Sequence, residues 1–154
     1  MELTTTHRLP FPAARVFASI RNPDLLRRCV NGCEKIISTS ENCYDAHVRI
    51  GSGFFRGLVV VKIEFTEINP KESIALRLRG NAAPGGIEAT VAIRFADSEK
   101  ESELQCRLQL DVKGMIALIG SRKIEAAARR LLEQFFARLD QELADSSEPT
   151  VESR

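Results

Sequence analysis

Tryptophan is absent from this 154-residue chain, which carries one tyrosine and two histidines. So little histidine leaves little room for acid–base chemistry. No Ser-His-Asp or Cys-His set has a workable spacing, and no paired carboxylates fall on an apolar face. No G-x-G-x-x-G phosphate loop is present: the glycines from Gly80 to Gly86 lack that pattern and the helix that must follow it. The four cysteines, Cys29, Cys33, Cys43 and Cys106, include no C-x2-C pair, so no metal site is expected. Cys106 sits at an apolar strand position, where a cysteine serves as a small hydrophobe. No apolar run is long enough to span a bilayer, and MELTTTHRLPFP has no signal-peptide hydrophobic region, which together predict a cytoplasmic protein. A net charge of +1 gives no global electrostatic reason to bind nucleic acid.

What the chain does have is a clear order of patterns. From Tyr44 to Val112 apolar residues recur at every second position; after Gly120 the period becomes helical and holds to Leu143. Leu3 to Leu9 reads as a first strand ending at Pro10. Pro12 opens a short helix with Val16, Phe17 and Ile20 on one face. Asn22-Pro23-Asp24 restarts the chain into a second short helix from Leu25 to Val30, closed by Asn31-Gly32, and Cys33 to Ser40 is the next strand. Gly51 to Gly57 reads as a turn or bulged crossing, Asn81 to Gly86 as a flexible loop, and Asp97 to Ser102 as a charged hairpin turn. The last helix presents the stripe Ile124, Ala128, Leu131, Leu132, Phe135, Leu139 and Leu143. One domain is expected over residues 1–143, with 144–154 a disordered acidic tail. The fold class is α+β: a curved antiparallel sheet wrapped around one long C-terminal helix, with two short helices after the first strand.

A sheet of this length curling around a single helix is hard to fill, and only eight phenylalanines and one tyrosine are available to plug its palm. The inward parity sets therefore outline an apolar cavity lined by Val59, Val61, Ile63, Leu76, Leu78, Val91, Ile93, Phe95, Leu108, Leu110, Leu131 and Phe135. A close-packed core is the competing reading of the same residues. Phe54 and Phe55 cannot both point inward, so together with Met115, Ile116 and Ile119 they mark a mouth that gates the cavity or touches a membrane; the bland alternative is a cover packed on the helix N-terminus. Residues 1–62 hold nine Lys/Arg against five Asp/Glu, and the remainder 13 against 16. The clusters Arg27–Arg28 and Arg122, Lys123, Arg129 and Arg130 suit anionic headgroups, or form a solvated face balanced by Glu125 and Glu133. His7 shares parity with Leu3 and Leu9 and looks inward, either towards a ligand carbonyl or as a satisfied structural histidine. His47, with Asp45 and Arg49, looks outward.

Several local motifs sharpen this picture. The opening LPFPAARVFASIRNPDLLRRCVNGCEKI resembles the start of the carbon monoxide dehydrogenase CoxG-subunit family, with Val30-Asn31-Gly32-Cys33-Glu34 in the family's "(I/V)xGCE" position. Ile119-Gly120-Ser121-Arg122-Lys123-Ile124 resembles its "LGSRxI" helix start, and Phe135-Phe136-Ala137-Arg138-Leu139 its "FFxxL". Asn31 stands where the family often has proline, the loop around Gly85-Gly86 is abbreviated, and the chain ends in a short acidic tail where some members have an apolar anchor. The resemblance implies a START-like (SRPBCC) helix-grip fold and a bacterial accessory protein with no catalytic residue. It implies no covalently required cofactor, but a bound quinone or lipid. Its partners would be subunits of a molybdenum hydroxylase of the carbon monoxide dehydrogenase type and, transiently, the inner face of the membrane. Two other classes stay open: a ligand-free docking or assembly module for that enzyme, and a cyclase- or hydrolase-type enzyme.

Overall fold

The computed structural model describes residues 1–52, 55–82, 85–98 and 100–146. Seven strands form one sheet: β1 (Glu2–Leu9), β2 (Cys33–Ser40), β3 (Cys43–Ser52), β4 (Phe55–Asn69), β5 (Ser73–Ala82), β6 (Gly85–Ser98) and β7 (Glu101–Gly114). Their order is β1-β7-β6-β5-β4-β3-β2, with every neighbouring pair antiparallel. Helices α1 (Ala13–Ile20) and α2 (Pro23–Cys29) follow β1; a 3-10 turn (Met115–Ile119) and the long α3 (Ser121–Ser146) follow β7.

The short helices start where their sequence dictates. Asn22 accepts hydrogen bonds from the backbone N–H groups of Asp24 and Leu25 (3.0 and 3.4 Å), and Pro23 takes the first helical position, where its missing N–H costs nothing. α2 thus begins two residues before the expected Leu25. It is followed by Gly32 at φ +84°, where a side chain would run into the Arg49 carbonyl, so only glycine fits.

Two glycine-rich stretches, one expected as a flexible loop and one as a turn or bulged crossing, are largely strand. Asn81 and Ala82 complete β5 while Gly85 and Gly86 open β6, with Ala82 opposite Gly85. The reason is close approach: any Cβ on Gly85 would collide with the Lys113 carbonyl of β7. Likewise Gly51 and Ser52 end β3, with Ser52 opposite Phe55. At the other terminus α3 runs to Ser146, past the expected limit at Leu143; residues 147–154 of the expected tail lie outside the described residues.

α3 is held at its C-terminal half. Phe136, Leu139 and Leu143 are buried, Arg15 donates to the Leu143 carbonyl (2.6 Å), Arg28 to Glu142 (2.9 Å) and Arg138 to the Arg28 carbonyl (3.0 Å). Together these fasten the helix end to α1 and α2. Ser102, buried on β7, donates to the Phe11 carbonyl (3.0 Å) and closes the same end of the sheet.

Candidate functional site: an apolar cleft in the palm of the sheet

Burial along the inner face is graded. On β6 the inward residues Ile93, Val91 and Ala89 are 4%, 7% and 5% exposed, and the next, Ile87, is 39% exposed. On β7, Leu104, Cys106 and Leu108 are buried, and Leu110 and Val112 half-buried. β4 runs from buried Phe65 through half-buried Ile63, Val61 and Val59, and β5 from buried Ile74 through half-buried Leu76 and Leu78. The register aligns these gradients, since Ile87 lies opposite Gly80 and Val112, and Leu78 opposite Ile63 and Ala89. α1 and α2 close one end of the palm, where Phe17 meets Phe95 (5.9 Å between ring centroids). Towards the other end the apolar side chains of this face keep contact with water.

α3 follows the same gradient. From its start to Phe135 it buries no apolar side chain fully; Ile124, Ala128, Leu132 and Phe135 are half-buried. Leu131 is the correction here: expected to line the cavity, it is 59% exposed. At about 100° per residue Leu131 falls at the edge of the stripe centred near Leu132 and Leu139. The stripe extends instead to Phe136, whose ring stacks on His7 (4.1 Å) and meets Phe135 edge-on (5.1 Å).

Of the remaining expected lining residues, Val59, Val61, Ile63, Leu76, Leu78, Leu110 and Phe135 are half-buried, and Val91, Ile93 and Leu108 form the closed floor. Phe95 belongs to the packing under α1. Of the mouth residues, Ile119 is half-buried and Phe54 lies outside the described residues. So do the side chains of Phe55, Met115 and Ile116. Two further residues stand at the open end, of which Ile87 was not expected from the sequence and Leu118 belongs to the Met115–Ile119 run expected at the mouth. Ile87 carries the right parity with Val91 and Ile93 but stands beside Gly85-Gly86. Leu118, 79% exposed, lies within the apolar run of the 3-10 turn.

His7, Arg77 and Arg79 are engaged in structural contacts. His7 does face inward, but it is spent on structure: its Nε2 bonds the Thr5 hydroxyl (2.8 Å) in the seam between β1 and α3. Arg77 and Arg79 pair on the outer face with Glu64 (3.3 Å) and Glu88 (3.1 Å). Burial pushes the Cys29 and Cys106 thiols up to about 11, so both are inert near neutral pH. No three His, Cys, Asp or Glu residues stand together to hold a metal among the described residues. A separate hollow of about 390 Å3 crosses the outer face between Arg77, Glu88, Thr90, Gln109 and Asp111. Met1, Ala89 and Leu110 complete its lining, so its wall is part polar and part apolar.

Burial lowers the pKa of His7 below 6.5, partly opposed by Glu133. A depressed histidine pKa means the unfolded chain binds the proton more tightly, so stability is lost as pH falls below 6.5. Substituting His7→Phe keeps a ring on Phe136 and removes the titration. Urea unfolding midpoints measured between about pH 7 and 5 should therefore fall less in the variant than in the parent.

Residues 6–144 match the profile of the family described as the CoxG subunit of carbon monoxide dehydrogenase. The chain belongs to that family. A conserved protein from Geobacillus kaustophilus shares 26% identity over 95% of this chain and 97% of its own, with a TM-score of 0.90. A START superfamily protein from Mycobacterium smegmatis superimposes with a TM-score of 0.76 at 12% identity, over 94% and 97% of the two chains. Ara h 8.0201 does so at 0.75 and 8%, over 95% and 99%; at such identities these two speak for the helix-grip fold alone. Among curated proteins no sequence match was found. In this CoxG-family chain the motifs have structural roles: Gly32 ends α2 against Arg49, Gly120 (φ +104°) launches α3, and Phe136 anchors α3 on His7.

Proposed function

We propose that this protein is a non-catalytic accessory that carries a hydrophobic small molecule, an isoprenoid quinone or a lipid, in the cleft between the sheet and the N-terminal half of α3. The observation that carries the reading is the burial gradient. A sheet face that is fully packed at one end and leaves Ile87, Leu78 and Val61 partly wet at the other has apolar surface available to a ligand. Each methylene such a ligand withdraws from water contributes about 0.8 kcal/mol. Membership of the CoxG family supports a molybdenum hydroxylase of the carbon monoxide dehydrogenase type as the enzyme served.

None of the described helices is long and apolar enough to cross a membrane. The reading instead includes a transient contact through the cleft mouth. Exposed Leu131 lies at the border of the helix face that carries Lys123 and Arg130, neither of which makes an ion pair with a described residue, and Leu118 is exposed just before the helix. Basic residues near an anionic bilayer contribute about 1 kcal/mol each.

Native mass spectrometry with solvent extraction of protein purified from its own host tests the ligand. A bound quinone or lipid is expected; an apo mass that takes up no added quinone would favour a ligand-free docking module. Vesicle flotation tests the contact. The parent is expected to float with vesicles containing phosphatidylglycerol, and Leu118→Glu combined with Lys123→Glu to lose about tenfold in binding, with its melting temperature unchanged.

A further inference from the structure

Gly80 stands on the inner face of β5 at the open end of the cleft, opposite Val61 of β4 and Ile87 of β6. A glycine in mid-strand weakens the strand and needs a reason. The usual two do not apply. Its φ lies outside the left-handed region that Gly32, Gly57, Gly114 and Gly120 occupy, so the backbone does not require it. Nor does crowding: a Cβ built there would sit at ordinary contact distance, 3.6 Å from Val61 Cγ2 and 3.8 Å from Val59 Cγ1, whereas at Gly85 it would collide with backbone. What Gly80 does create is a gap in an otherwise aliphatic row. Its diagonal neighbour on the same face is Ala89, also small, while the next row inward is filled by Ile63 and Leu78.

We infer that Gly80 sets the width of the cleft and admits the broad, ring-bearing end of the ligand near the mouth. This rests on the cleft being the binding site. Deeper in the palm Leu76 is half-buried and Val91 and Leu108 are buried, so the gap at Gly80 lies at the mouth end, where a slim unbranched chain would leave it unfilled. The residue thus discriminates by cross-section, rejecting a flat ring once a side chain fills the slot.

The test compares two probes, decylubiquinone, which carries a ring, and dodecanoic acid, which does not, by titration calorimetry on the full chain. Gly80→Ala is expected to melt at or above the parent temperature, since its Cβ has room. Gly80→Val is expected to bind decylubiquinone about tenfold more weakly and dodecanoic acid within about threefold of the parent. Equal losses for both probes, or no loss for either, would overturn the role of Gly80 while leaving the cleft reading intact. A parent protein that binds neither probe would overturn both.

Discussion

Replacing Leu139 by alanine is expected to destabilise the protein by about 2–5 kcal/mol, and replacing Leu131 by alanine by less than about 0.5 kcal/mol. Both are leucines on the apolar stripe of α3, eight residues apart in sequence, and nothing in the composition separates them. Their surroundings do. Leu139 is 1% exposed and lies between the arginine contacts that tie the helix end to α1 and α2, so truncation there opens a cavity the neighbours cannot refill. Leu131 is 59% exposed, and alanine is the better helix former. Urea unfolding of the two variants at one pH decides the matter. Similar losses would mean that Leu131 packs inward and that the cleft is narrower than described.

The strands were legible because one face of each is buried, which forces strict alternation: Leu104, Cys106 and Leu108 against Gln105, Arg107 and Gln109 leave no other register. Strand ends were less legible. Glycine signals both a loop and a close backbone approach, and at Gly85 it is the approach to Lys113 that holds. That ambiguity also hid Ile87, which continues the inward set of β6 but sits just after Gly85-Gly86. On α3 a helical stripe has soft edges: Leu131 lies at one edge of it and Phe136 nearer its centre on the other side. The structure turns Phe136 inward, where its ring stacks on His7 of β1. The cleft itself could be listed residue by residue but not located, because parity identifies the inner face and not where along it packing stops.

That stopping point makes the strongest functional expectation specific. Ile87→Glu is expected to abolish uptake of decylubiquinone, a loss of at least about tenfold, while changing stability by no more than about 1 kcal/mol. The stability cost stays small because the parent side chain is already 39% exposed and the carboxylate can keep its water in the empty protein. Binding suffers because an apolar ligand filling the cleft would strip that water from an unpaired charge; the neighbouring charged row of Arg79, Glu88 and Asp111 lies on the opposite face of the sheet. The matched control is Thr90→Glu, on the outer face of the same strand, which should bind as the parent does. If Ile87→Glu and Thr90→Glu both bind normally, the ligand does not pass the open end of the palm, and the water-accessible walls of Leu78 and Val61 mark a loosely packed core.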